Sequence, residues 1–164
     1  MSSYQHLLVP VDTDVTADGA LAEHLIDAAA DLAHALGAKV TLAHVALPVV
    51  EPGVLPVDGY TTAYRAMNDV LEARNAAANR ALAALVERCA QRGARAESML
   101  ITRGGPVPER IVDAATERGA DLIVLATHGR RGMSRLVLGS VAERTAHLAS
   151  RGHTVAVLLI PVGG

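Results

Sequence analysis

Between Ala126 and Val141 the chain reads Ala-Thr-His-Gly-Arg-Arg-Gly-Met-Ser-Arg-Leu-Val-Leu-Gly-Ser-Val. Gly129 and Gly139 bracket a basic stretch holding Arg130, Arg131 and Arg135, and Ser140 follows directly. Where side chains are missing, backbone amides can gather into an anion-binding nest, and a helix starting nearby adds the positive end of its dipole. The chemistry this pattern suits is the cradling of phosphate, with Arg130 and its neighbours as candidate guanidinium partners. Ser140-Val-Ala-Glu143 also reads as a capping box, in which Ser140 and Glu143 satisfy the first amides of a helix.

Asp12 is the second candidate. It follows the apolar run His6-Leu-Leu-Val-Pro-Val11, where a carboxylate can accept from a ribose hydroxyl or an adenine amino group, or hold a water on a metal. Other chemistries lack their residues. The glycine segment has no Walker-type lysine, the first strand is not followed by Gly-x-Gly-x-x-Gly, and no Gly-x-Ser-x-Gly elbow occurs. The seven histidines are not spaced as metal ligands, and Cys89 falls on the apolar stripe of a helix, as a small core residue does.

Five apolar runs must position these residues: His6–Val11, Lys39–Val45, Ala96–Thr102, residues 121–126 and Thr154–Ile160. Between them lie helical patterns. Leu21, Leu25, Ala28, Leu32 and Leu36 recur at helical spacing before Gly37, and Met67, Leu71, Ala78, Leu82, Leu85 and Cys89 do so within a long helix over Tyr64–Arg92. Pro108, Ile111, Val112 and Ala115 mark a third helix ending at Gly119, and a fourth starts near Ser140. From Ala46 to Thr62 periodicity gives way to prolines and glycines, a candidate lid. Strict alternation of strand and helix predicts a single α/β domain over residues 1–164, a three-layer sandwich around a five-stranded parallel sheet of Rossmann-like type. Right-handed crossovers outward from the first strand and then back past it give the order 3-2-1-4-5. The reversal between strands 1 and 4 is the topological switch point, where open α/β sheets bind ligands, and it brings Asp12 beside the glycine segment.

Composition narrows the partners. With 15 Lys and Arg against 17 Asp and Glu the net charge is −2, and only three residues are aromatic, all of them tyrosine. A nucleic-acid binder ordinarily carries a basic excess or aromatic stacking faces, so that class is disfavoured. No apolar run approaches the ~20 residues of a membrane helix, and the single cysteine cannot form an internal disulfide. A cytoplasmic protein is the expectation.

The motifs together resemble those of the universal stress protein family. Its ATP-binding members carry Gly-x2-Gly-x9-Gly-Ser/Thr after the fourth strand, and Ala126-Thr-His-Gly129 followed by Gly139-Ser140 matches at every position but the first. Val9-Pro-Val-Asp12, Leu42-Ala-His-Val45 and Ala120-Asp-Leu-Ile-Val124 extend the likeness over nearly the whole chain. The resemblance implies an adenine nucleotide alpha hydrolase-like fold with ATP as ligand, accompanied by Mg2+. It implies that Pro10, Val11 and Asp12 meet the adenosine part and that Val45 contacts adenine through its backbone. By the same resemblance Ala126, His128, Gly129, Gly139, Ser140 and Val141 surround the ribose and phosphates, and a homodimer forms through the final strand with Val155, Val157 and Leu159 partly in its interface. The expected role is a nucleotide-dependent stress-response regulator with at most slow ATP hydrolysis, rather than an enzyme by design. The alternative is a structural or interaction homodimer of the same fold that holds no nucleotide. Ala126, where the motif has glycine, decides between them: if its backbone is extended, a methyl group there costs little.

Overall fold

The computed structural model describes residues 4–13, 19–47, 61–127, 138–151 and 155–161. Their elements alternate as β1 (His6–Pro10), α1 (Gly19–Leu36), β2 (Lys39–Val45), α2 (Thr61–Gln91), β3 (Arg95–Ile101), α3 (Val107–Arg118), β4 (Leu122–Ala126), α4 (Ser140–Ser150) and β5 (Ala156–Ile160). All pairings are parallel, and the strands lie in the order β3-β2-β1-β4-β5. This is the sheet the alternation predicts. β2 has the limits read from the sequence, the other strands differ by one or two residues, and residues 152–154, which include the expected start of β5, lie outside the described residues.

Alternation of side chains along each strand sorts the core into two layers. Leu7, Val9, Val40, Leu42, Leu122 and Val124 pack with Leu25, Ile26, Ala29 and Ala33 of α1 and Leu82 and Cys89 of α2. Leu8, Ala43, Ile123 and Leu125 pack with Ile111, Val112 and Ala115 of α3 on the opposite face. Alanine dominates the α1 contact, so the helix lies close on the sheet without aromatic filler. Gly37 ends α1 in the left-handed region (φ 67), and Ala38 N–H reaches back to the Ala33 carbonyl, a Schellman closure.

Two sequence readings of the helices need correction. The buried face of α1 is centred on Leu25, Ile26, Ala29, Ala30 and Ala33, while Leu32 and Leu36 are only half buried at its margin. Met67 is 59% exposed and does not belong to the α2 stripe, which is buried at Leu71, Ala78, Leu82 and Cys89. The reason is length. The 31 residues of α2 span about 46 Å, whereas the seven residues of β2 or β3 cover about 23 Å. The first turns of α2 therefore run past the sheet at the end where β2 hands over to it.

Polar contacts between distant segments complete the frame. Arg88 on α2 grips Asp27 of α1 with both Nε (2.6 Å) and Nη2 (2.8 Å), and Arg92 does the same to Asp31 at 2.8 and 2.6 Å. Glu23 joins the ladder through Arg88 at 3.1 Å. The guanidinium of Arg88 holds the Asp27 carboxyl below its usual value. At the amino end of the sheet a polar row, buried at His6 and Thr41 and exposed at Glu97, crosses three strands. The Thr41 hydroxyl donates to Glu97 Oε1 at 2.9 Å and lies 2.8 Å from His6 Nε2. His6 and Thr41 are buried, and Arg118 stands 3.8 Å from Glu97.

Burial, with Lys39 adding to it, pushes the His6 pKa down, against the raising effects of Glu97, Asp121 and a backbone bond to Arg118. The folded protein therefore favours neutral His6, and the unfolded chain binds more protons once the pH drops below about 6.5. Stability should be full above that value and decline as the pH falls below it toward the lower folded-state pKa. In denaturant titrations across this range the His6→Gln variant, which keeps a donor near Thr41, should show a flatter pH dependence than wild type. Parallel curves would remove His6 from the account.

Candidate functional site

The site begins where β1 and β4 part. Their pairing covers only Leu7↔Leu122 and Leu8↔Ile123, whereas β1 stays in register with β2 as far as Pro10↔Ala43 and β4 with β5 as far as Ala126↔Ile160. Pro10 accounts for part of this. The Val11 N–H donates to the Ala43 carbonyl at 2.8 Å, so odd residues of β1 turn their amides to β2 and even ones to β4. The His6 carbonyl, accepting from Asp121 N–H at 3.0 Å on the β4 side, confirms the parity. Pro10 falls in the even set and has no N–H to give, so the ladder toward β4 loses a donor there. The recorded β1–β4 pairing thus stops short of the carboxyl ends of the two strands.

Pro10, half buried, ends β1, and Val11, buried, leads into Asp12, which is exposed. Val45, half buried, is the last residue of β2. On the other side Ala126 ends β4 in extended, paired backbone, half buried against the core beneath α1. Its methyl group therefore calls for no left-handed conformation, and the departure from glycine is accommodated. Thr127 N–H donates to the Ile160 carbonyl at 2.9 Å, and the Thr127 carbonyl accepts from Gly139 N–H at 2.8 Å. That bond closes the neck of the glycine segment. His128, Gly129 and Arg130, with Arg131 and Arg135, lie outside the described residues.

The start of α4 corrects the capping-box reading. Gly139 is the N-cap, in extended conformation (φ −62, ψ 144), and its carbonyl accepts from Glu143 N–H at 2.9 Å, while no side chain among the described residues caps the helix. Ser140 is thus the first helical residue, one position too late for its hydroxyl to cap. With the Gly139 amide engaged by Thr127, helix geometry leaves the N–H groups of Ser140, Val141 and Ala142 without intrahelical acceptors. Ser140 and Val141 are exposed and Ala142 is buried, so the helix start meets solvent at its first two residues. Arg144 does not serve as a free cation beside them. Its Nε and Nη2 both donate to Glu109 Oε1 of α3, at 2.9 and 2.7 Å, and hold the Glu109 carboxyl below its ordinary pKa.

His44 was not singled out by the sequence reading. Its Nδ1 lies 3.0 Å from the Val11 carbonyl oxygen and 3.4 Å from the Thr13 nitrogen. The only available signal was a polar residue amid the apolar run Val40-Thr-Leu-Ala-His-Val45. Among the described residues no group of three or more His, Cys, Asp and Glu gathers to hold a metal, and no helix is long and apolar enough to cross a membrane.

An open parallel sheet in 3-2-1-4-5 order, with Asp12 directly after β1 and Gly139 capping α4 after β4, is the arrangement the motifs imply. The sequence model of the universal stress protein family matches residues 3–156. The chain belongs to that family. A universal stress protein of Methanocaldococcus jannaschii is 54% identical over 41 residues, 25% of this chain, and the match spans 24% of that relative's length. Among solved structures, a universal stress protein family member from Burkholderia pseudomallei is 28% identical with a TM-score of 0.63, covering 99% of both chains. A universal stress protein from Archaeoglobus fulgidus in complex with dAMP is 25% identical with a TM-score of 0.61, covering 96% of this chain and 98% of that one.

Because Ser140 does not cap α4, Ser140→Ala should leave the unfolding free energy within about 0.5 kcal/mol of wild type, where loss of a true N-cap costs ~1 kcal/mol. Chemical denaturation of the ligand-free protein checks this.

Proposed function

We propose that the chain binds ATP in the switch-point crevice and works as a nucleotide-dependent stress-response regulator, with at most slow hydrolysis. The observation that carries this reading is the parting of β1 from β4 beside the uncapped amino end of α4. The amides of Ser140, Val141 and Ala142 suit phosphate oxygens, Asp12 suits a ribose hydroxyl, and the backbone of Val45 suits the edge of adenine. In this reading Pro10, Val11 and Ala126 line the nucleoside, and Gly139 allows close approach of the phosphates. His128, Gly129 and Arg130 complete the cradle by their place in the motif. The carboxylate of Asp12 is also an oxygen donor of the kind Mg2+ takes when it accompanies ATP. The Archaeoglobus fulgidus relative in complex with dAMP supports an adenine nucleotide as the ligand class.

A homodimer is part of the proposal. β5 is an edge strand whose five residues, Ala-Val-Leu-Leu-Ile, are apolar and half buried, and such an edge pairs readily with another strand. Val157 and Leu159 remain candidates for that contact, whereas Val155 is buried within its own subunit.

Gly139→Asp separates binding from folding. Aspartate is favoured at an extended N-cap, so the empty variant should melt at or above the wild-type temperature. Its carboxylate would occupy the amides that phosphate needs and repel the phosphates, weakening ATP binding at least about tenfold, or ~1.4 kcal/mol. Calorimetric titration with ATP, together with assay of nucleotide released from the denatured purified protein, reads the outcome. A wild type that neither carries nor binds adenine nucleotide would overturn the proposal, as would a variant that binds like wild type.

A further inference from the structure

We propose that His44 is a positioning residue of the nucleotide site, acting through the backbone of Val11 and resting on the reading of that site given above. Val11 is held from two directions by consecutive residues of β2. Its N–H donates to the Ala43 carbonyl at 2.8 Å, and its carbonyl faces His44 Nδ1 at 3.0 Å. Nδ1 can donate to that carbonyl or accept from the Thr13 N–H at 3.4 Å, not both; the shorter contact places the proton on Nδ1, and in this proposal the imidazole is the donor. Asp12 is the residue between these two contacts. Its place at the crevice mouth is thereby fixed by a side chain that belongs to the neighbouring strand.

The imidazole also stands in for a rung of the ladder. In a regular parallel pair the residue whose N–H meets the Ala43 carbonyl offers its own carbonyl to the N–H of residue 45. At Val11 the donor is supplied instead by His44, and the β1–β2 register stops at Pro10↔Ala43. The peptide of Val45, which by parity faces the β1 side, is not required to continue the sheet at this point. An N–H and a C=O on one extended residue match the ring nitrogen and amino group of adenine's hydrogen-bonding edge, and mismatch guanine, which presents a carbonyl oxygen and a ring N–H in those places. One side chain thus serves two ends of the nucleoside: it sets Asp12, and it keeps the Val45 peptide for the base.

The test uses three variants of the full chain. His44→Ala removes the donor, His44→Asn places an amide N–H near the position of Nδ1, and His44→Gln carries its amide further out, near the position of Nε2. ATP affinity should fall at least about tenfold in the alanine and glutamine variants, return to near wild type in the asparagine variant, and the preference for ATP over GTP should shrink wherever affinity is lost. Similar affinities for the asparagine and glutamine variants, or wild-type affinity for the alanine variant, would overturn the proposal. A long-range nitrogen–proton spectrum of the ligand-free wild type reports the tautomer directly, and a His44 ring protonated at Nε2 alone would equally overturn it. If wild type binds no adenine nucleotide, the reading of the site fails, and the tautomer with hydrogen exchange of the 11–13 segment in His44→Ala still decides the tether. Unchanged exchange there would overturn it.

Discussion

The early parting of β1 from β4 is the constraint on which the site depends. A parallel sheet is held by evenly spaced backbone bonds, and removing a donor at Pro10 on the β4 side lets the two central strands separate after Leu8↔Ile123. The described residues proposed for ligand binding stand at strand and helix ends near that place. Asp12 follows the end of β1, Ala126 and Thr127 end β4, and Gly139 returns to Thr127 before α4 begins. A proline in a central strand is ordinarily a fault; here it falls where the fold needs pairing to cease.

The surrounding frame keeps the opening from collapsing. Two alanine- and valine-rich layers hold the sheet from both faces, with α1 seated closely by Ala29, Ala30 and Ala33. Side-chain ties then fix the elements at the rim. Glu109 on α3 holds Arg144 on α4, His44 holds Val11, and the Arg88 and Arg92 ladder joins α2 to α1. Exposed ion pairs add little stability singly, so their effect here is on register between helices. The division of labour is apolar packing for stability and polar contacts for placement.

Much of this architecture was legible in the chain. Short apolar runs, helical stripes and the glycines at 37 and 119 led to the strand order, and the motif spacing led to the crevice and to the family. Less legible were features set by geometry between remote segments. Whether Ser140 or Gly139 caps α4 depends on backbone angles that a Ser-x-x-Glu pattern does not contain. The exposure of Met67 follows from α2 outrunning the sheet, which periodicity within the helix cannot report. The row from His6 through Thr41 to Glu97, and the contact of His44 with Val11, join residues about 30 positions or more apart that share a face only once the register is known. Ala126 gained a clear reading for the same reason: its pairing with Ile160 establishes extended backbone.

The central claim is that an adenine nucleotide sits across the β1–β4 opening, against the start of α4. Backbone amide spectra recorded during titration with ATP address it residue by residue. The account predicts shifts concentrated at Val11, Asp12, Val45, Ala126, Thr127 and Gly139 through Ala142, with α1 and the distal half of α3 unmoved. Saturating ATP that left those amides unchanged, or that moved only the α1–α2 face around Asp27 and Arg88, would contradict it.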